Sequence, residues 1–195
     1  GRQPERVILG ENKWLFLPVT VREYLGYFKT TTEDLEYWRQ VLEGRRAWLS
    51  ERNIQYVFVV PPNKEIIYGE YLPKDIAQSK GETRLEKFLA YMKRHSDVNI
   101  LDLRSTLLNA KQHQQVYFST DTHWNGYGLF LSYQKLIESL RPCLPELSDP
   151  MPFNPEDFDI RPHVGDLIPL GGLDEKDYPE LKQVFRSYWC ENSNS

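Results

Sequence analysis

Tyr56-Val57-Phe58-Val59-Val60-Pro61-Pro62 is the stretch that decides the fold class. Five apolar residues, β-branched or aromatic, run without a polar interruption, which is the pattern of a strand covered on both faces rather than of a half-solvated one. Pro61-Pro62 then stops it, since proline can neither donate to a ladder nor continue into a helix interior. Upstream, Thr30-Thr31-Thr32-Glu33 reads as a capping box, and Leu35, Trp38, Leu42 and Leu49 recur at helical spacing to about residue 52. Downstream, Thr83-Arg84-Leu85-Glu86 is a second capping box, opening a helix whose apolar face is Leu85, Phe88, Leu89 and Met92. Val98-Asn99-Ile100-Leu101 and Val116-Tyr117-Phe118 read as further strands, with a short helix over 103–110 between them. Asn125 is a good N-cap for another helix with Leu129, Tyr133, Leu136, Ile137 and Leu140 as its buried stripe, ended by Pro142. Strands alternating with helices over 54–141 predict an α/β sheet layered by helices.

Outside this region the signals are weaker. Residues 7–17 hold two short apolar runs around Gly-Glu-Asn-Lys, the pattern of a hairpin. Residues 142–195 are rich in Pro, Asp and Glu and read as loops, with a helix expected at 178–189. The 195 residues suit one domain. A net charge of −4 offers no surplus to neutralise phosphates, so a nucleic-acid partner is excluded, and Arg45-Arg46 reads as a solvated helix face. The start at Gly1 without a methionine suggests a processed fragment. Cys143 and Cys190 are too few for a disulfide framework, and either a single bridge or two unrelated thiols fits them.

The segment richest in chemistry is Ser119-Thr120-Asp121-Thr122-His123-Trp124-Asn125, placed after an apolar run and before a capped helix, where open α/β sheets bind their ligands. In extended backbone, residues two apart share a side, so Asp121 can accept from one nitrogen of His123 and leave the other free as a base. The competing reading is a loop in which Asp121 caps a turn and His123 lies half buried against Trp124. Lys64, past the end of the 56–60 strand, either faces the same cleft and meets an anionic polymer or orients a loop, or is a solvated surface lysine. Tyr68 and Tyr71 either stack on sugar rings or cover the sheet edge. His163 and Asp166 can be drawn with Asp121 and His123 as metal ligands, but nothing in the sequence makes them converge, and neither a metal nor a cofactor is expected. His95 and His113 read as solvated.

These blocks resemble, in order, those of the alginate O-acetylation family of SGNH-hydrolase-like proteins. Gly10-Glu11-Asn12-Lys13-Trp14-Leu15-Phe16 is similar to the opening block, with Lys13 where glycine is usual; Val57 to Pro73 resembles the strand, Pro-x-Lys and Tyr-x-x-x-Leu-Pro block; Asp121-Thr122-His123-Trp124 resembles the Asp-x-His-Trp signature; and Gly165-Asp166-Leu167 follows in place. The resemblance covers about residues 7–173. It implies a three-layer sandwich around a mostly parallel sheet, and a Ser-His-Asp triad acting on acetyl groups of a bacterial exopolysaccharide outside the cytoplasm. By motif position His123 would be the base and Asp121 its orienting group. Trp124 would shape the sugar groove, and Lys64 and Tyr68 would touch substrate. A membrane-bound O-acyltransferase would hand over the acetyl group, with the protein membrane-anchored upstream of Gly1. The family's serine sits in a Gly-Asp-Ser-like turn after a strand; here Gly165-Asp166 is followed by Leu167, and Ser187, Ser193 and Ser195 are poor substitutes. The expectation is therefore either an acetyltransferase or acetylesterase whose fold stops short of its nucleophile at the C-terminal end, or a silent polysaccharide-binding or scaffold module.

Overall fold

The structure is a computed structural model and describes residues 6–185. The chain opens with a short antiparallel hairpin, β1 (Ile8–Leu9) and β2 (Leu15–Phe16), turned by a 3-10 segment at Glu11–Lys13 in which Asn12 and Lys13 take positive φ. Helices α1 (Pro18–Tyr24) and α2 (Thr32–Ser50) follow, then β3 (Phe58–Val60), α3 (Lys64–Tyr68), α4 (Lys74–Ala77) and α5 (Arg84–His95). Next come β4 (Ile100–Asp102), α6 (Arg104–Ala110), α7 (Gly126–Leu140), β5 (Phe158–His163), α8 (Leu167–Gly171) and β6 (Glu180–Phe185). β3 and β4 pair in parallel, Phe58 opposite Ile100, and carry the α/β character.

The caps form as the residue types require. Asn125 accepts from the Gly128 N–H at 3.0 Å to start α7. Thr83 and Glu86 exchange both bonds of a capping box at α5. At α2 the box is formed one residue later than its sequence pattern indicated, by Thr31 and Asp34, and the helix starts at Thr32.

Four expectations need correction. The 56–60 run is half-buried and paired only with β4 among the described residues, because its strand is three residues long and a cleft of about 540 Å³ opens beside it, lined by Phe58, Val60, Phe88, Leu35 and Trp38. Val116–Phe118 does not join that sheet: the chain folds straight back, with Asn125 N–H donating to Val116 O and a bridge between Tyr117 and Trp124. The buried face of α7 is Gly128, Phe130 and Ser132, whereas Leu129 is 53% exposed. The helix expected at 178–189 is instead a strand, β6, antiparallel to β5 as far as residue 185, and residues 186–189 lie outside the described ones. The sheet is thus one parallel pair with two separate antiparallel hairpins among the described residues.

The main core gathers Trp14, Phe16, Tyr68, Leu72, Leu103, Leu107, Val116 and Tyr117, so the opening hairpin, α3 and α6 pack under the 116–125 loop. Tyr68 belongs to this core. It is 5% exposed, its ring lies 4.3 Å from that of Trp14, and its hydroxyl accepts from Val116 N–H. No helix among the described residues is long and apolar enough to cross a membrane. Cys143 is exposed as a free thiol, and Cys190 lies outside the described residues.

Candidate active site

The loop between the apolar run 116–118 and α7 carries Asp121 and His123. Asp121 is buried, and each of its carboxylate oxygens accepts two hydrogen bonds. Oδ1 takes the backbone N–H of His123 at 3.0 Å and the ring Nδ1 of His123 at 2.7 Å; Oδ2 takes His163 Nε2 and the backbone N–H of Asp166, both at 3.1 Å. The backbone bond to residue i+2 is an Asx turn, so the carboxylate shapes the loop and holds the ring with the same atom. A carboxylate only accepts, which places the proton of His123 on Nδ1. The ring is 75% exposed at its side chain, and Nε2 has no hydrogen-bond partner among the described residues. Burial alone would raise the Asp121 carboxyl, but the bonds from the His123 side chain and backbone and from Asp166 outweigh it, so it lies below its ordinary value. The pair therefore has the chemical form of an oriented base facing solvent. Both sequence alternatives are partly realised, since Asp121 does cap a turn while His123 stays open.

The surroundings are set by three segments distant in sequence. Asp166 accepts from Thr122 N–H at 2.8 Å and Thr122 Oγ1 at 2.5 Å, and lies 3.8 Å from His123 Nδ1. Gly165 is required by a close approach: a Cβ there would lie 2.1 Å from the Thr120 carbonyl oxygen. His163, on β5, stacks its ring on Phe118 at 3.9 Å between centroids. Trp124 is half-buried, bridged to Tyr117 and packed against the main core.

Lys64 is 3% exposed, not a surface residue. Its ammonium donates to the carbonyls of Asp121 at 2.7 Å, Ser119 at 3.2 Å and Phe118 at 3.3 Å, under the loop rather than in the open mouth. Burial pulls it down to about 8, against the pull of nearby Glu65, Glu180, Asp121 and Asp166. Tyr68, in the core, has no ring face open to a sugar. Glu180 was not singled out from sequence, because it falls in the stretch expected as a helix at 178–189, where a lone carboxylate reads as a solvated side chain. Its carboxylate accepts from Ser119 N–H at 2.5 Å and Ser119 Oγ at 2.9 Å through Oε1, and from Thr120 N–H at 3.2 Å and Thr120 Oγ1 through Oε2.

Asp121, His123 and Asp166 each offer a ligand atom within 4.8 Å of the others, and these three could face one cation. A cation there would have to displace the Nδ1–H bond of His123, since Asp121 is already saturated by four donors. The 540 Å³ cleft beside β3 includes neither Asp121 nor His123.

This α/β domain, with a carboxylate-held imidazole at a loop mouth, is of the SGNH-hydrolase-like class by its family match. The chain belongs to the family described as SGNH hydrolase-like domain, acetyltransferase AlgX, whose match spans residues 7–194. It is 30% identical over 168 residues to a probable alginate O-acetylase AlgJ of Pseudomonas putida, covering 86% of this chain and 42% of the relative, and 28% identical over 183 residues to the Azotobacter vinelandii protein of the same name, covering 91% and 45%. The chain thus spans less than half the length of these curated relatives. Among solved structures, the O-acetyltransferase domain of Pseudomonas putida AlgJ superposes with a TM-score of 0.61 at 27% identity, over 91% of this chain and 63% of that one. Pseudomonas aeruginosa AlgX, at 18% identity and a TM-score of 0.59 over 91% of this chain and 42% of that one, supports the fold alone.

Proposed function

We propose that the protein takes part in O-acetylation of a bacterial exopolysaccharide outside the cytoplasm, with His123 as general base and Asp121 as the group that orients it. The observation that carries this reading is the 2.7 Å bond from His123 Nδ1 to Asp121 beside an exposed Nε2 that has no partner among the described residues. Nε2 takes the proton of a serine hydroxyl as its oxygen attacks the acetyl carbon, and the donor leaves with that proton. A sugar hydroxyl then attacks the acetyl-serine, its proton passing to Nε2 and on to the departing serine oxygen. Water in place of the sugar would make the same site an acetylesterase. Trp124 lines the approach, and Lys64 acts by holding the loop.

The acetyl-carrying serine is assigned to a part of the protein other than residues 6–185, where no serine hydroxyl pairs with His123. A membrane-bound O-acyltransferase is the proposed acetyl source, and residues 1–195 are read as one domain, supported by the family match over 7–194. The relatives named as alginate O-acetylases support a uronate polymer such as alginate as substrate. The same lack of a paired serine favours one other reading, a silent module that binds polysaccharide or assembles the acetylation complex.

The deciding experiment is hydrolysis of a chromogenic acetyl ester by the full-length protein and by His123→Ala. Catalysis at this site predicts a fall of roughly three orders of magnitude or more on removing the base. Equal rates would rule out His123 as base, and inactivity of the unaltered protein with retained polysaccharide binding would favour the module.

A further inference from the structure

We infer that Glu180 is a positioning residue for the Asp121–His123 pair, acting through the backbone of Ser119 and Thr120 against Lys64 on the opposite side. This rests on the reading of His123 as base and adds to it a residue from a strand about sixty positions downstream.

The geometry is that of a clamp with opposite charges on its two jaws. Glu180 collects the N–H and hydroxyl groups of Ser119 and Thr120, and its Oε1 also takes the Gln115 amide at 3.4 Å, five donors on two oxygens. Lys64 collects the carbonyls of Phe118, Ser119 and Asp121. The Phe118–Ser119 and Ser119–Thr120 peptide groups therefore lie between an anion at their N–H ends and a cation at their C=O ends, which aligns their dipoles with the field instead of against it. Bonds to charged groups are about twice as strong as neutral ones. Two neutral backbone contacts complete the hold, with Leu15 N–H donating to Ser119 O and Leu167 N–H to Thr120 O. What leaves this clamp is Asp121, whose side chain has to meet both N–H groups of His123 within one turn. A small rotation of the Thr120–Asp121 peptide would swing the carboxylate off the ring. Packing alone does not call for a carboxylate at 180, since Glu180 is only half-buried, at the start of β6.

The test is Glu180→Gln in the full-length protein, a change that keeps the size and shape of the side chain. The amide offers one acceptor and sets its NH2 group against donors that face it. Two readings are taken. Nitrogen-15 spectra of the His123 ring report whether the proton is held on Nδ1, and acetyl-ester kinetics report kcat and KM. The expected result is a mixture of ring tautomers for His123, with kcat reduced about tenfold or more and KM changed less than twofold. The β3–β4 amide signals should not move. An unaltered His123 ring spectrum would overturn the inference whatever the kinetics, and global unfolding would do so too, because it would make Glu180 a residue of the fold at large. The ring spectrum is independent of turnover, so it separates failure of this inference from failure of the acyl-transfer reading, which His123→Ala tests.

Discussion

The Lys64 ammonium lies 2.7 Å from the carbonyl oxygen of Asp121, the residue whose carboxylate grips His123. One end of Asp121 is held by a buried cation and the other holds the candidate base, so the first residue past Asn63 at the end of the β3 turn and the exposed imidazole are two hydrogen bonds apart. A buried lysine is costly unless its three protons are met, and here three carbonyls meet them.

Lys64→Met should lose about 3 kcal/mol of stability, because three buried carbonyls lose a charged donor. The pH dependence has a definite sign. With Lys64 near 8 in the folded state and 10.5 as its ordinary value, the unfolded chain binds more protons between those limits, and stability rises with pH there. The difference between the unaltered protein and Lys64→Met, read by urea denaturation, should grow by on the order of 2 kcal/mol from pH 8 to pH 10. Above pH 10 the buried Tyr68, pushed up to about 12, acts in the opposite sense in both proteins. A flat difference from pH 8 to 10 would contradict the burial of the ammonium.

Asp121→Asn puts an NH2 group where the carboxylate now accepts four bonds. The acetyl-ester rate of the full-length protein should fall by roughly 10³–10⁴-fold with the fold retained. Because the Asp121 carboxyl sits below its ordinary value, its contribution to stability is present above that value and lost as pH falls through the folded one. Acid unfolding followed by circular dichroism should therefore show a smaller loss of stability below pH 4 in Asp121→Asn than in the unaltered protein.

Gly165→Ala is expected to be disproportionately harmful for a one-carbon change. The new Cβ would meet the Thr120 carbonyl, which accepts from Leu167 N–H, so the 165–167 turn would have to back away from the loop. A loss of about 2 kcal/mol or more, with weakened protection of the Leu167 amide in hydrogen exchange, is the expected outcome. Normal stability would mean that the turn does not lie against the loop.

On α7, Phe130→Ala should cost about 3–5 kcal/mol and Leu129→Ala less than about 1 kcal/mol, read by thermal unfolding. Phe130 is buried among Phe153, Phe158 and Tyr133, while Leu129 is exposed. The reverse order would restore the face expected from sequence.

Much of the site was legible in the order of residues, and the physical reason is range. The caps at Thr83–Glu86 and Asn125, the opening hairpin, and the Asp121–His123 pair all arise from pairings between residues two to eight apart, which depend on local backbone alone. The stop at Pro61-Pro62 is equally local, a missing donor and a fixed φ. The tertiary structure decided what those local pieces meet. The face that α7 buries depends on where Phe153 and Phe158 come to lie. Residues 180–185 are a strand because β5 offers them partners, although their own pattern was read as part of a helix. Lys64 and Glu180 were ambiguous or invisible in sequence for the same reason. Their meaning is electrostatic, fixed by which carbonyls and N–H groups surround each charge once chain segments 54–61 residues apart are brought within 3 Å or so.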